Sequence, residues 1–234
     1  MEKKYELLQD DVKIIGSKKL YRIKAVRNFS DVKKGDLGGY IEREDNLNHD
    51  GNAWVCGSAW VCGDARVYGD ARVYGDAWVY DNARVYDNAR VCGNARVYNN
   101  ACVCGNARVY NNARVYGNAW VCGDARVYNN AWVCGDACVC GNARVYGNAC
   151  VCGDACVYGN GDYLYVKGIG STFRGTTAYR TWDNGVGIVC GCFTGTLGEF
   201  EKKVQSTHGE SKYAKEYQLF IQIIKLHFGI EAEK

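Results

Sequence analysis

From Gly51 through Tyr158 the chain repeats one six-residue phrase eighteen times, with no insertion or deletion. Position three is Ala and position five is Val in every copy, whereas position four is Arg, Trp or Cys and position six is Tyr or Cys. Fixed apolar residues therefore alternate with variable ones, the period of a short strand with one buried face, so that Ala and Val point inward. The first two positions use only Gly, Asn, Asp and a single Ser. These residues tolerate positive φ or hydrogen-bond their own backbone, and so make corners. A four-residue strand and a two-residue corner, repeated, bend the chain at fixed intervals and let it pair with itself one coil later, which is a solenoid. The 29 glycines and the absence of proline fit this regular fold and neither a collagen-like nor a disordered chain.

The phrase Val-x-Gly-Asn/Asp-Ala-x resembles the hexapeptide repeat of left-handed parallel β-helices. That resemblance implies three hexads per triangular coil, hence about six coils, roughly 29 Å long at about 4.8 Å per stacked strand. The fold expected is an all-β solenoid, a left-handed parallel β-helix over residues 51–160, with an N-terminal β cap (1–50) and a C-terminal α+β cap (161–234). In the N-terminal piece "LYRIKAV" reads as a strand and "KKGDLGGYIE" as a glycine-rich lead-in. This leader resembles that of uncharacterised bacterial and phage hexapeptide-repeat proteins often labelled transferases, which implies a phage–host setting such as inhibition of a host complex. In the C-terminal piece "YLYVKG" and "GIVCGCF" read as strands, followed by helices over 196–207 and 211–228. Tyr213, Tyr217, Phe220, Ile221, Ile224 and Phe228 recur at steps of three and four, so the second helix is expected to lie on the final coil and cover its open edge.

Taking every eighteenth residue assigns the outward side chains to three faces. The first stacks Trp54, Arg72, Arg90, Arg108, Arg126 and Arg144 beside Cys56, Tyr74, Cys92, Tyr110, Tyr128 and Tyr146. The second stacks Trp60, Trp78, Arg96, Arg114, Trp132 and Cys150 beside Cys62, Tyr80, Tyr98, Tyr116, Cys134 and Cys152. The third stacks Arg66, Arg84, Cys102, Trp120, Cys138 and Cys156 beside Tyr68, Tyr86, Cys104, Cys122, Cys140 and Tyr158. An arginine ladder with tyrosine neighbours can grip phosphates or an acidic protein. With nine Arg against eight Asp in the repeat, it also reads as an ordinary solvated face. The aromatic second face reads as an anchor surface for a protein partner or for self-association as a dimer or trimer, and equally as cross-strand packing.

A net charge of +3 does not announce nucleic acid, although a polyanion remains an alternative ligand of the Arg ladder. No apolar run reaches the length of a membrane span and the start lacks the pattern of an export signal, so the expected location is cytoplasmic, with no membrane partner. In that compartment the fourteen cysteines should mostly stay thiols. Cys102, Cys104, Cys122, Cys138 and Cys140 share one region, but ladder spacing places sulfurs in rows whereas zinc needs convergence, so no metal and no cofactor is expected. The variable positions interchange codons that differ by single bases, as recent duplication followed by drift leaves them. Left-handed β-helix acyltransferases, the catalytic analogy for such a repeat, resemble one another in a histidine base and in loops that interrupt the coils. The repeat here has neither, and of His49, His208 and His227 only His49 borders the prism. No phosphate loop, nucleophile elbow or HExxH motif is present. The reading is a non-catalytic binding or scaffold protein, with acyl transfer through His49 as the catalytic alternative. Its candidate binding residues are Arg72, Arg90, Arg108, Arg126, Arg144, Tyr74, Tyr110, Tyr128 and Tyr146 on the first face and Trp60, Trp78, Tyr80, Tyr98, Tyr116 and Trp132 on the second.

Overall fold

The computed structural model describes residues 2–230; the outermost residues of both expected caps, 1 and 231–234, lie outside them. Each hexad contributes one short strand, and strands eighteen residues apart pair in parallel, as Arg90–Val91 pairs with Arg72–Val73 below and Arg108–Val109 above. Three sheets result, each carrying one strand from every coil, and their members are those of the three faces counted from the sequence. Successive coils are joined by backbone bonds such as Arg90 N–H to the Ala107 carbonyl and Cys92 N–H to the Val109 carbonyl, both 2.9 Å. Every repeat Ala and Val is fully buried.

Corner geometry explains the small alphabet of the first two positions. Position one is left-handed throughout, with φ of 69° at Gly57, 59° at Asp81 and 60° at Asn111, where only Gly, Asn and Asp are at ease. At position two, side-chain amides hydrogen-bond from coil to coil, Asn82 to Asn100, Asn100 to Asn118 and Asn118 to Asp136. A parallel amide ladder runs through Asn94, Asn112, Asn130 and Asn148.

The N-terminal cap is a hairpin of β1 (Tyr5–Ile15) and β2 (Lys18–Ala25) followed by β3 (Leu37–Ile41). This last strand joins the second sheet, placing Tyr40 opposite Trp60 and Ile41 opposite Val61, while Leu47 bridges Val67 on the third sheet. Residues 37–48 are thus an incomplete further coil, bringing the solenoid to about seven turns. Gly39, Ile41 and Leu47 occupy Ala and Val positions without matching the phrase. Gly39 cannot even be Ala, because a Cβ there would press on the Ala59 carbonyl and lie 2.7 Å from Val55 Cγ1.

The C-terminal cap is a four-stranded antiparallel sheet (Tyr163–Val166, Thr176–Arg180, Val186–Cys190 and Phe193–Thr196) and two helices, α1 (Leu197–His208) and α2 (Lys212–Phe228). Thr196 caps α1 through the Glu199 N–H, and Ser211 caps α2 through the Ala214 N–H. The expected helix–coil contact is corrected here. The apolar face of α2, including Tyr217, Phe220, Ile221 and Ile224, packs with α1 and the outer side of the sheet, around Ala178 and Ile188. The sheet itself covers the last coil with Tyr163, Tyr179 and Val189. Helical periodicity identifies an apolar face but not the surface it meets, which here is the sheet and α1.

Candidate binding faces

On the first face the arginines stand directly opposite one another, Arg72 through Arg144, in unbroken parallel register. Arg72 does not belong to a free ladder: its guanidinium is half-buried and bound to Asp31 and Ser30 of the N-terminal cap. Trp54, one coil below, is buried against Phe29 and Tyr5. The accessible column is Arg90, Arg108, Arg126 and Arg144, and among the described residues none of the four has an ion-pair partner. Several corner aspartates are spent elsewhere, Asp124 and Asp136 on Asn106 and Asn118, Asp70 on Asn52. Beside this column Tyr110, Tyr128 and Tyr146 stack with centroids 4.9 and 5.4 Å apart and nearly parallel rings. Tyr74 is exposed and stands next to Cys92, outside the stack. Partial burial in the stack raises the Tyr110 hydroxyl above its ordinary pKa, so it stays a neutral donor.

The second face is only partly a free surface. Trp60 is buried with Leu20, Tyr40 and Cys62 beneath the N-terminal hairpin, with Trp78 and Tyr80 packed against that cluster. Trp60 therefore anchors the cap, not a partner, a correction to its expected role. Further along, Tyr80, Tyr98 and Tyr116 form a stack at 4.9 Å per step. Two arginines lie over indoles, Arg96 at 4.1 Å from the Trp78 centroid and Arg114 at 5.1 Å from that of Trp132. These cation–π contacts satisfy much of the face within the chain. Trp132, 40% exposed, is its most accessible aromatic anchor.

The third face gathers thiols in its far half, and the cysteines do not keep to rows. Cys122 and Cys140 are paired as a disulfide across one coil, as are Cys134 and Cys152 on the second face. The other ten cysteines are free thiols. The Cys138 sulfur lies 2.9 Å from that of Cys140, and the Cys150 sulfur 3.1 Å from that of Cys152. Burial pushes both Cys138 and Cys150 up to about 11, which makes them weak nucleophiles at neutral pH.

His49 lines an open groove of about 550 Å³ with Glu44, Asp45, Arg66, Tyr68 and Arg84. Its ring stacks on Tyr5 at 4.3 Å, and its Nδ1 accepts the backbone N–H of Lys4 at 3.2 Å. The imidazole proton must then sit on Nε2, 3.8 Å from the Glu44 carboxylate. Burial lowers the pKa of the ring further and keeps it neutral. Its acceptor nitrogen is occupied by the backbone, so His49 as placed holds the cap together and offers no lone pair to a substrate. His208 stacks on Tyr217, and the His227 ring is bonded to the Gly161 carbonyl.

Residues 65–81, 77–92, 89–105, 101–117, 107–123, 119–135 and 137–153 match the family described as YdcK Beta solenoid repeat. The repeat is similar to that of YdcK. The matches fall within residues 65–153 and leave residues 51–64 and 154–158 of the repeat, as well as both caps, outside them. No curated protein matches the chain. Among the described residues no helix is long and apolar enough to cross a membrane.

The caps are expected from the sequence, but not their burial of face residues such as Trp54 and Trp60, to which one signal points. Position four is Trp at 54 and 60 and Cys at 150 and 156, apolar residues in the end coils where the caps sit, while Arg fills most of the middle coils.

Proposed function

We propose that this protein is a non-catalytic docking module whose first face, Arg90, Arg108, Arg126 and Arg144 with the Tyr110–Tyr128–Tyr146 stack, binds an acidic surface of a partner protein. The observation that carries this reading is the unpaired arginine column. Like charges placed directly opposite across strands destabilise a sheet, and among the described residues no ion pair reaches these four arginines. An external anion would relieve the repulsion. A helix presenting one carboxylate per turn, about 5.4 Å apart, comes close to the coil rise of about 4.8 Å, so a flexible guanidinium can follow it over four rungs. The tyrosines supply rigid amphipathic area beside the charges, as interface anchors do. Nucleic acid is the second reading that the same arginines allow, and the acyltransfer reading draws no support from the placement of His49.

The test compares the wild type with a variant carrying Arg90→Ser, Arg108→Ser and Arg126→Ser, using an acidic helical peptide and a single-stranded DNA of equal charge as probes. The expected result is binding of the peptide that weakens about tenfold or more in the variant, with less affinity for the DNA at physiological salt. Tighter DNA binding with a steep salt dependence that the variant flattens would transfer the face to nucleic acid. Absence of binding to either probe would remove any electrostatic role.

A further inference from the structure

Two groups of three cysteines converge on the far half of the solenoid, Cys122, Cys138 and Cys140 on the third face and Cys134, Cys150 and Cys152 on the second. Within each group all three sulfurs lie within 4.8 Å of one another. The groups are the same construction twice, displaced by two hexads. One Cys-x-Cys pair flanks an inward Val on a single strand, and the third Cys stands one coil below the second member of that pair. The sulfurs converge because positions four and six both point outward around Val139 or Val151, while the stacked coil brings the third Cα to 4.7 Å in one group and 4.6 Å in the other. Cys134, Cys138, Cys140 and Cys152 are buried, and among the described residues no carboxylate or imidazole completes either group.

We propose that each triad, when reduced, is a three-thiolate site for one soft monovalent ion of the Cu(I) class. Three sulfurs that no fourth ligand atom joins within 4.8 Å of them all suit a trigonal ion: metal–sulfur bonds of about 2.3 Å place the ligands about 4 Å apart, within the span the triads hold. Thiolate donors select Cu(I) over hard cations, and zinc would be left a ligand short. The Cys122–Cys140 and Cys134–Cys152 disulfides close both sites. A dithiol reductant opens each by delivering two electrons and two protons to the S–S bond, giving two thiols and a cyclic disulfide of the reductant. The ion then displaces three thiol protons to solvent. The site is independent of the arginine face and of the docking reading above.

The experiment titrates the reduced full-length chain with Cu(I), in the absence of air and against a competing chromogenic Cu(I) chelator. Cys150→Ser is expected to remove one tightly held equivalent and Cys138→Ser another, each weakening its site on the order of tenfold or more. Cys56→Ser and Cys92→Ser, on the first face, should change neither. X-ray absorption should report three sulfurs around the copper. Because serine at a shielded position can unsettle the coil, alkylation of the wild type is measured in parallel by mass spectrometry, where Cu(I) should protect the six triad cysteines and leave Cys56 and Cys92 as reactive as before. Unchanged stoichiometry in Cys138→Ser and Cys150→Ser, or protection spread evenly over all cysteines, would overturn the proposal.

Discussion

Lys4 is fully buried at the lower end of the solenoid, with its ammonium 5.3 Å from the Phe29 centroid and 3.4 Å from the carbonyl oxygens of Asp50 and Gly51. It satisfies backbone acceptors at the start of the regular coils that have no rung beneath them to bond. Desolvation, aided by Arg27 and Arg72, brings its pKa from 10.5 down to about 8. Between those two values the unfolded chain binds the extra proton, so the lysine's contribution to stability rises with pH across that window. Urea midpoints of the wild type and Lys4→Met should therefore diverge in favour of the wild type as pH is raised from 8 to 10.5, the tyrosine and cysteine titrations being common to both. A difference that stays flat with pH would show the ammonium to be solvated. Gly39 gives a second test at this scale. Gly39→Ala should lower the thermal midpoint by several degrees, since the new methyl meets backbone at Ala59 that cannot swing aside.

At the scale of the element, the unit is a rung whose inward Val and Ala are fixed by register. Val109→Ala should cost about 2–3 kcal/mol, by lost burial plus the cavity left between two neighbouring rungs, whereas Arg108→Ser on the same strand should change stability by less than about 0.5 kcal/mol. Chemical denaturation of the two variants checks both values. The rungs were legible in the sequence because a single face is buried and the period of two is unbroken. Even the assignment of Arg90, Arg108 and Arg126 to one column followed, once the resemblance implied three hexads per coil. The incomplete coil over 37–48 was not legible, since its inward residues are Gly39, Ile41 and Leu47 and its corner carries two extra residues before Gly51. The burial of Trp60 and the pairing of Arg72 with Asp31 depend on where the hairpin folds back. No local pattern encodes that tertiary choice. Nor does strand period alone reveal that sulfurs two residues apart lean together, since that depends on rotamers and not on backbone direction.

For the whole molecule, the end pieces are keyed to particular faces: β3 extends the second sheet, and the C-terminal sheet closes the last coil through Tyr163 and Tyr179. Removing residues 93–110, three whole hexads, should give a folded protein one coil shorter with both caps seated. Removing 105–110 alone should also leave both caps seated, since each touches only its own end coils, but it turns everything beyond the deletion, the C-terminal cap included, by a third of a revolution relative to the N-terminal part. Circular dichroism and cooperative melting check both, and loss of cooperative folding in the one-hexad deletion would mean that the stacked faces, and not only the inward Val and Ala, hold the coils together. The column Arg90–Arg144 would shorten in the first deletion and break in the second, so binding of an acidic probe should follow the same order.

The eighteen-residue register also bears on how such a gene can change. Because the DNA encoding the hexads is itself repetitive, replication slippage is expected to add or remove copies, and only steps of three keep the residues of each face in one column. Each tolerated step lengthens or shortens every face by about 4.8 Å and leaves its chemistry in line. The gene thus carries an adjustable ruler, in which reach evolves in whole increments while the attachments at either end stay as they are.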